Sequence, residues 1–543
     1  MRARAAALAA LLALGCGGTG LGGYSSAPGV SFSREDRVVL TAANYVEAIA
    51  VSQRLVFSVT RSALTIYDRQ FDAWQPPVAL PAEIGAGRIT TVAADPIEDA
   101  VWIGTFGTVL FYRPAIDVIT SAAVPGLPDV ILFDARDQAS GAYVRAGGSW
   151  YLVSRVGTVT PVQVSQLPPP VAQIRQATLQ EVYAEYPSLQ NFQGLMTRDE
   201  QLRSWPVTAV GTAPETEQVW LGTAGNGMYR VDPRFGEATH VPFGLLAEGA
   251  GAIAPAADGV WVASYAAGGA ARGGLTFIRT DLQQWRWLEG GIDRPFAATR
   301  ALDIVVRGRL AWVATDRGVF RLDTQNPLSV RRWSLTNGLP DDRALAVAVA
   351  GTGVWVGTAR GLAFIAGDAA AASTSAIAQT MLSGVAVRGL ASSGDTVWAA
   401  TDAGLLAALP ADTMPRRATT NDARLSRPLV AIARTDSLLV AASEDELIIL
   451  VRGRVVSTPG LTRGQLGGVG RVLAVAADSQ TIWVAGERGV AVVSRASGVQ
   501  RVLAVPSAIP APALDVMLDA DFAWIATRQG VVRLRRLPDG TVR

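Results

Sequence analysis

The 543-residue chain contains no lysine, one cysteine (Cys16) and one histidine (His240). Without lysine there is no phosphate-loop lysine, no Schiff-base or pyridoxal chemistry and no lysine general base. One cysteine excludes disulfide frameworks. Together with a single histidine it also excludes zinc fingers, histidine-rich metal sites and Cys–His catalysis. Charge is scarce as well: 17% of residues are charged and 49% hydrophobic, and 48 arginines face 46 acidic residues for a net +2. So apolar a chain is not largely disordered, and its length exceeds one ordinary domain. Two domains or a large repeat array are expected.

What is present begins with an export signal. Arg2 and Arg4 precede an Ala/Leu stretch from Ala5 to Leu14, too short to cross a hydrocarbon core of ~30 Å. Ala13-Leu14-Gly15-Cys16 resembles the lipobox of bacterial lipoproteins, with Ala13 and Leu14 exchanged relative to the usual order. The resemblance implies cleavage after residue 15 and lipidation of Cys16. Residues 16–34 are rich in Gly, Ser and Pro and read as a flexible tether. Loss of Arg2 and Arg4 with the signal leaves a formally neutral mature chain, which has no field to steer nucleic acid. No later stretch is long and apolar enough to cross a membrane as a helix. Gly17 follows Cys16 where inner-membrane retention favours Asp, so the resemblance implies an outer-membrane lipoprotein; the alternative is a secreted or periplasmic soluble protein.

Internal repeats carry the fold. Val354-Trp355-Val356-Gly357-Thr358-Ala359-Arg360-Gly361-Leu362 recurs in close copies centred on Trp102, Trp220, Trp261, Trp312, Trp398, Trp483 and Trp524. Phe57, Trp150 and Val440 head weaker copies, for eleven units in all. The spacings are 45, 48, 70, 41, 51, 43, 43, 42, 43 and 41 residues, so only the third interval holds an insertion. A β-rich run, the Trp strand, and a glycine six residues beyond the aromatic (Gly318, Gly361, Gly404, Gly489, Gly530) recur within the units. That glycine suits a hairpin needing positive φ. Units of ~40–50 residues with four short strands are β-propeller blades.

Trp with Gly or Ala two places later pairs large with small between stacked blades, so Trp102, Trp220, Trp261, Trp312, Trp355, Trp398, Trp483 and Trp524 are assigned to blade cores. Trp74 lies outside the motif and is expected to matter less. The Thr that follows (Thr105, Thr223, Thr315, Thr358, Thr401, Thr527) is placed to tie a turn back to the backbone.

Trp333-Ser334-Leu335-Thr336-Asn337-Gly338-Leu339-Pro340-Asp341-Asp342, running on to Val354-Trp355-Val356-Gly357-Thr358, resembles the two-component regulator propeller repeat. Echoes occur at Pro125-Gly126-Leu127-Pro128 and Pro459-Gly460-Leu461-Thr462. Sensors of that family build paired propellers in a periplasmic receptor for polysaccharide fragments. Here no kinase or regulator segment accompanies the repeats, so the signalling role does not carry over. The expected fold is all-β: about eleven four-stranded blades with a short helical insertion. A single ring of that size exceeds the usual ~4–8 blades, so two propellers are expected. The first covers 35–295 with about five blades, the second 296–543 with about six; four plus seven is the near alternative. Arg37 to Leu40 and Tyr45 to Val51 are strand-like and available to complete a blade shared with the C-terminus, which would remove an open edge.

The insertion (165–205) holds Val171 to Tyr186, read as an amphipathic helix, and a second helical turn capped by Thr197 with Glu200. Tyr183, Tyr186, Phe192 and Trp205 make it a candidate arm for a partner. No Asp-x-Asp-x-Asp-Gly calcium loop occurs, and no catalytic, cofactor or metal constellation is read. The reading is therefore a membrane-anchored binding or scaffold module for a protein or glycan. A carbohydrate-active or lactone-cleaving enzyme and a ligand-sensing subunit are the alternatives.

Overall fold

The computed structural model describes residues 36–542 except 61–62, 80–88, 135–136, 138–139, 168–177, 200–201, 214–217, 266–272, 290–299, 352, 367–375, 413, 419–421, 457–465, 467 and 496–497. The signal, Cys16 and the tether lie outside the described residues. The chain is 58% strand and 6% helix, arranged in eleven four-stranded antiparallel sheets. Each sheet is an up-and-down meander. In chain order we call them A (46–79), B (89–123), C (128–162), D (207–241), E (250–288), F (301–333), G (344–381), H (387–417), I (431–456), J (472–504) and K (513–535).

Ten sheets are continuous in sequence. Sheet K takes its outermost strand from Arg37–Leu40, which pairs antiparallel with Gly530–Arg535. The expected shared blade is therefore present, while Val46–Val51 opens sheet A instead. Gly530 makes the join possible. Its φ is 119°, and a Cβ there would meet the Leu40 carbonyl oxygen at 2.2 Å.

The sheets stack face to face, so their central strands are buried on both sides and lose alternation: Gly353–Thr358 is buried at every residue. Packing follows one rule, with the inner two strands of one sheet lying on the first strand of the next. By this rule E, F, G, H, I, J and K form a closed cycle of seven, because K packs back onto E. D, A, B and C form a row of four in that order. Sheet E, placed by spacing in the first group, thus packs between F and K, and the division falls before it rather than near residue 295. Spacing counts blades but carries no information on which two faces meet.

The Trp-x-Gly pairing has a direct cause. A Cβ at Gly357 would lie 2.7 Å from Val387 of sheet H, and one at Gly222 would lie 2.4 Å from Val46 of sheet A. The small residue marks the point where the next sheet's first strand approaches. Trp102, Trp220, Trp261, Trp312, Trp355, Trp483 and Trp524 are buried on second strands. Trp398 is only half-buried, since the outer strand of H is just Arg416–Arg417. The threonines close the adjoining turns: Thr315, Thr358, Thr401 and Thr527 each donate to the carbonyl three residues on, at 2.7–2.9 Å.

Two assignments change. Trp150 sits on the third strand of C, half-exposed, and the buried Val144 holds the second-strand position. Trp74 is buried where the two groups of sheets meet, with its ring 4.3 Å from Phe243 and 5.0 Å from Tyr67. Its backbone exchanges hydrogen bonds with the Gln283 amide of sheet E at 2.9 and 2.8 Å.

Candidate functional site

Between the last strand of C (Val159–Val162) and the first of D (Val207–Ala213) the chain leaves the repeat. Among the described residues one α-helix forms there, Leu179–Glu185. Thr178 caps it by accepting from the Glu181 N–H, while Glu181 accepts from the Thr178 N–H at 2.8 Å. Residues 168–177, the front of the expected longer helix, lie outside the described residues. Glu200, the capping partner of the expected second helical turn, lies outside the described residues, and no helical turn forms among the described residues of 197–203: the Thr197 hydroxyl donates to the Trp205 carbonyl at 2.7 Å, and Arg198 bridges Ser204 as a short β-link. A side chain spent on a cross-loop bond cannot cap a helix.

The insertion covers the face of D that points away from A. Trp220 points toward A, so its neighbours Val219 and Leu221 point outward, where Val182, Leu189 and Met196 bury them. Tyr183, Tyr186 and Phe192 are partly buried against the same cluster. Phe192 lies over Gly236, and Trp205 lies over Gly225, where a Cβ would come within 2.3 Å of the ring. The four aromatic residues singled out in the sequence are therefore brought together on one sheet, and each is engaged in holding the arm down.

A polar clamp completes the docking. Arg203 donates to Asp199 at 2.6 Å and to Glu289, the residue after the last strand of sheet E, at 2.7 Å, while its guanidinium lies 5.1 Å from the Trp205 ring. The Trp205 indole donates to Asp199 at 2.9 Å. Burial pushes the Asp199 carboxyl up, but the Arg203 N–H, the indole and the guanidinium outweigh it and hold Asp199 below its ordinary value. Burial likewise disfavours the Arg203 cation, and its two carboxylates more than compensate. Such a pair is expensive to break from one side.

His240, the lone imidazole, lies on the outer strand of D between Tyr229 and Trp287, with ring centroids at 5.0 and 5.5 Å. Its Nε2 is 2.8 Å from the Asn226 carbonyl oxygen. Its place is in the aromatic seam between D and E.

What sequence reasoning missed is what the arm presents outward. Leu195 and Leu202 are 51% and 70% exposed, and Leu202 is held at φ 61°, a left-handed conformation uncommon for leucine. The Thr178-x-x-Glu181 box was a readable signal for the helix; nothing local marks Leu195 or Glu289.

Elsewhere, Asp303 and Asp515 sit beside the bulge on the innermost strands of F and K. Each accepts its own following N–H and reaches across to the next sheet, Asp303 to Val347 N at 2.9 Å and Asp515 to Ile253 N at 2.8 Å. Enclosure by the inner strands raises Asp515 to about 6, and enclosure plus the Asp515 charge raises Asp303 to about 7. Among the described residues there is no group of three or more His, Cys, Asp or Glu placed to hold a metal ion, and no helix long and apolar enough to cross a membrane.

No family model and no curated protein matches the sequence, so the repeat resemblance rests on the motif stretches quoted above. Among solved structures, the chain is similar to PorZ, a bacterial surface component of the type-IX secretion system of Porphyromonas gingivalis. The identity is 13% and the TM-score 0.52, covering 92% of this chain and 87% of that one. It is also similar to the extracellular domain of the putative hybrid two-component system BT4673 of B. thetaiotaomicron, at 11% identity and a TM-score of 0.41, covering 90% of this chain and 69% of that one. What the chain shares with PorZ is its all-β propeller fold.

Proposed function

We propose that the protein is an extracytoplasmic propeller lipoprotein, anchored through Cys16, that serves as a docking scaffold for a protein partner on its insertion. The observation carrying the reading is the clamped arm. Its aromatic side chains and the Arg203–Glu289 pair are consumed in docking, and two leucines are left exposed on a rigid support. Exposed apolar side chains on an arm already docked by its own aromatics are what a protein interface can use, because less ordering entropy remains to be lost on binding. Exposed aliphatic side chains offer a glycan no stacking surface, so the protein partner is favoured over the glycan. PorZ, which shares the fold, is itself a bacterial surface component, a location of the kind read here from the first sixteen residues.

The test is comparative co-purification from detergent-solubilised membranes. Leu195→Asp/Leu202→Asp should fold with an unchanged thermal midpoint, since both positions are exposed, and should lose partners that the wild-type chain retains. Identical partner sets from both chains would overturn the assignment.

A further inference from the structure

The first strands of the seven ring sheets pack on one another around the cycle and form its inner wall. That wall is almost without charge. The first strands of E (Ala250–Pro255), G (Ala344–Ala350) and J (Val472–Ala477) carry no ionisable side chain. F and K each carry one carboxylate, Asp303 and Asp515, just after the bulge in the strand. E, G, H and J hold Ala252, Ala346, Gly389 and Ala474 at that place, and no sheet of the row holds a charge there.

Their placement is as particular as their chemistry. Asp515 accepts the Ile253 N–H across the K–E joint, where the ring closes, and Asp303 accepts the Val347 N–H across the F–G joint. The two joints flank the pair E–F, whose own contact is one apolar cluster holding Trp261, Phe277, Ile304 and Phe320. The same joints are crossed by an arginine each: Arg307 donates to the Gly351 carbonyl at 2.9 Å, and Arg533 donates to the Thr280 carbonyl. E also meets the row and the arm, through Gln283 on Trp74 and Glu289 on Arg203.

The charges facing the two carboxylates are quickly enumerated. The strands packed on theirs are the first and second strands of E and J, the second strands of F and K and the first strand of G, and all seven are free of ionisable side chains. Arg307 and Arg434 stand at the far ends of their strands, and the exposed Arg388 of H is bonded to Asp402 at 2.7 Å. Each carboxylate therefore faces chiefly the other, across sheet E.

Ionisation strengthens the bond to each N–H, but it also encloses charge in an apolar wall and sets like charges on either side of E. The second effect wins, since Asp515 stands at about 6 and Asp303 at about 7, above the ordinary carboxyl value. Both residues are half-buried, so they exchange protons with solvent. Wherever opening a joint admits water, the carboxyl ionises more readily. The closed joint is thus favoured while the proton is held and loses that advantage as pH rises toward 7.

We propose that Asp303 and Asp515 make the K–E and F–G joints a proton-operated latch on the E–F pair, closed when both are protonated and loosened at its inner edge when both are ionised.

Hydrogen exchange on the full chain tests it, with rates corrected for the intrinsic pH dependence of amide exchange. Between about pH 5 and about pH 8, protection of the Ile253 and Val347 amides should fall by at least about tenfold. The second strand of J (Thr481–Gly486), buried throughout, reports global opening and should change by less than about twofold. Asp515→Asn should abolish the pH dependence at Ile253 and move the transition at Val347 to lower pH, because the Asp515 charge no longer helps Asp303 keep its proton. Protection at Ile253 and Val347 that does not vary with pH would overturn the proposal. An equal change in the J strand would do so too, by making the effect global, as would a Val347 transition that stays in place in Asp515→Asn. The wild-type series decides by itself if the variant does not fold.

Discussion

Trp355 and Trp398 hold the same place in their sheets, yet the surroundings differ enough to separate them experimentally. Trp355 is enclosed between G and H, with its ring 4.9 Å from Phe364, whereas the outer strand of H leaves Trp398 half-covered. Trp355→Ala should cost ~3–5 kcal/mol in urea unfolding, and Trp398→Ala distinctly less. Trp74→Ala should resemble Trp355→Ala, contrary to its position outside the motif, because Phe243 and Tyr67 close over it. The motif tryptophans, their small partners and the turn threonines could be read from sequence because each reflects local geometry repeated many times. Trp74 could not, because its burial is created by a second group of sheets hundreds of residues away. The same is true of Asp303 and Asp515, which look like ordinary strand charges until ring closure encloses them. Their folded-state values, about 7 and about 6, stand above the ordinary carboxyl value, so the folded chain binds more protons than the unfolded one in that window. Their contribution is fully present at low pH and is lost as pH rises toward 7. Urea midpoints of Asp303→Asn/Asp515→Asn should therefore gain on wild type between pH 4.5 and pH 8. A constant difference across that range would mean the two carboxylates titrate normally.

At the scale of elements, the decisive piece is the four-residue strand Arg37–Leu40, which supplies the outermost strand of sheet K and ties the first strand of the chain to its last. Val38 and Leu40 are buried, and their cluster runs from K into A, D and E. Val38→Asp/Leu40→Asp would bury unpaired charge and expose the edge at Gly530–Arg535. A loss of at least ~3 kcal/mol and concentration-dependent aggregation are expected, by chemical denaturation and light scattering. Destabilisation no greater than that of an exposed control such as Val156→Asp would show that the ring closes without this strand. The closure was legible because an isolated apolar strand at one end of a repeat array has only the other end to pair with. Sheet C was misjudged for the opposite reason. Its second strand carries Val144 where every other sheet but I carries an aromatic, so the nearest tryptophan drew the alignment one strand too far. The insertion was legible as a departure from the period, and less so in shape: Thr197 had the composition of a cap, and a long-range bond to Trp205 claimed it.

For the whole molecule, eleven repeats constrain the number of sheets and leave their grouping open. The grouping is decided by K returning onto E and by the insertion occupying the outer face of D, neither of which leaves a mark in the period. On the proposed reading, the place of the molecule in the cell is set by a residue outside all of this packing. Cleavage before Cys16, as proposed, would leave a formally neutral chain attached through the lipid on that residue. One acyl chain gives only marginal binding, while several, at ~0.8 kcal/mol per buried methylene, hold firmly. Cys16→Ser should therefore remain unprocessed or miscleaved, take up no labelled palmitate and move from the membrane to the soluble fraction, because a hydroxyl is a far poorer nucleophile than a thiol. An unlabelled wild-type chain that washes off as freely as Cys16→Ser would mean the protein is secreted without an anchor.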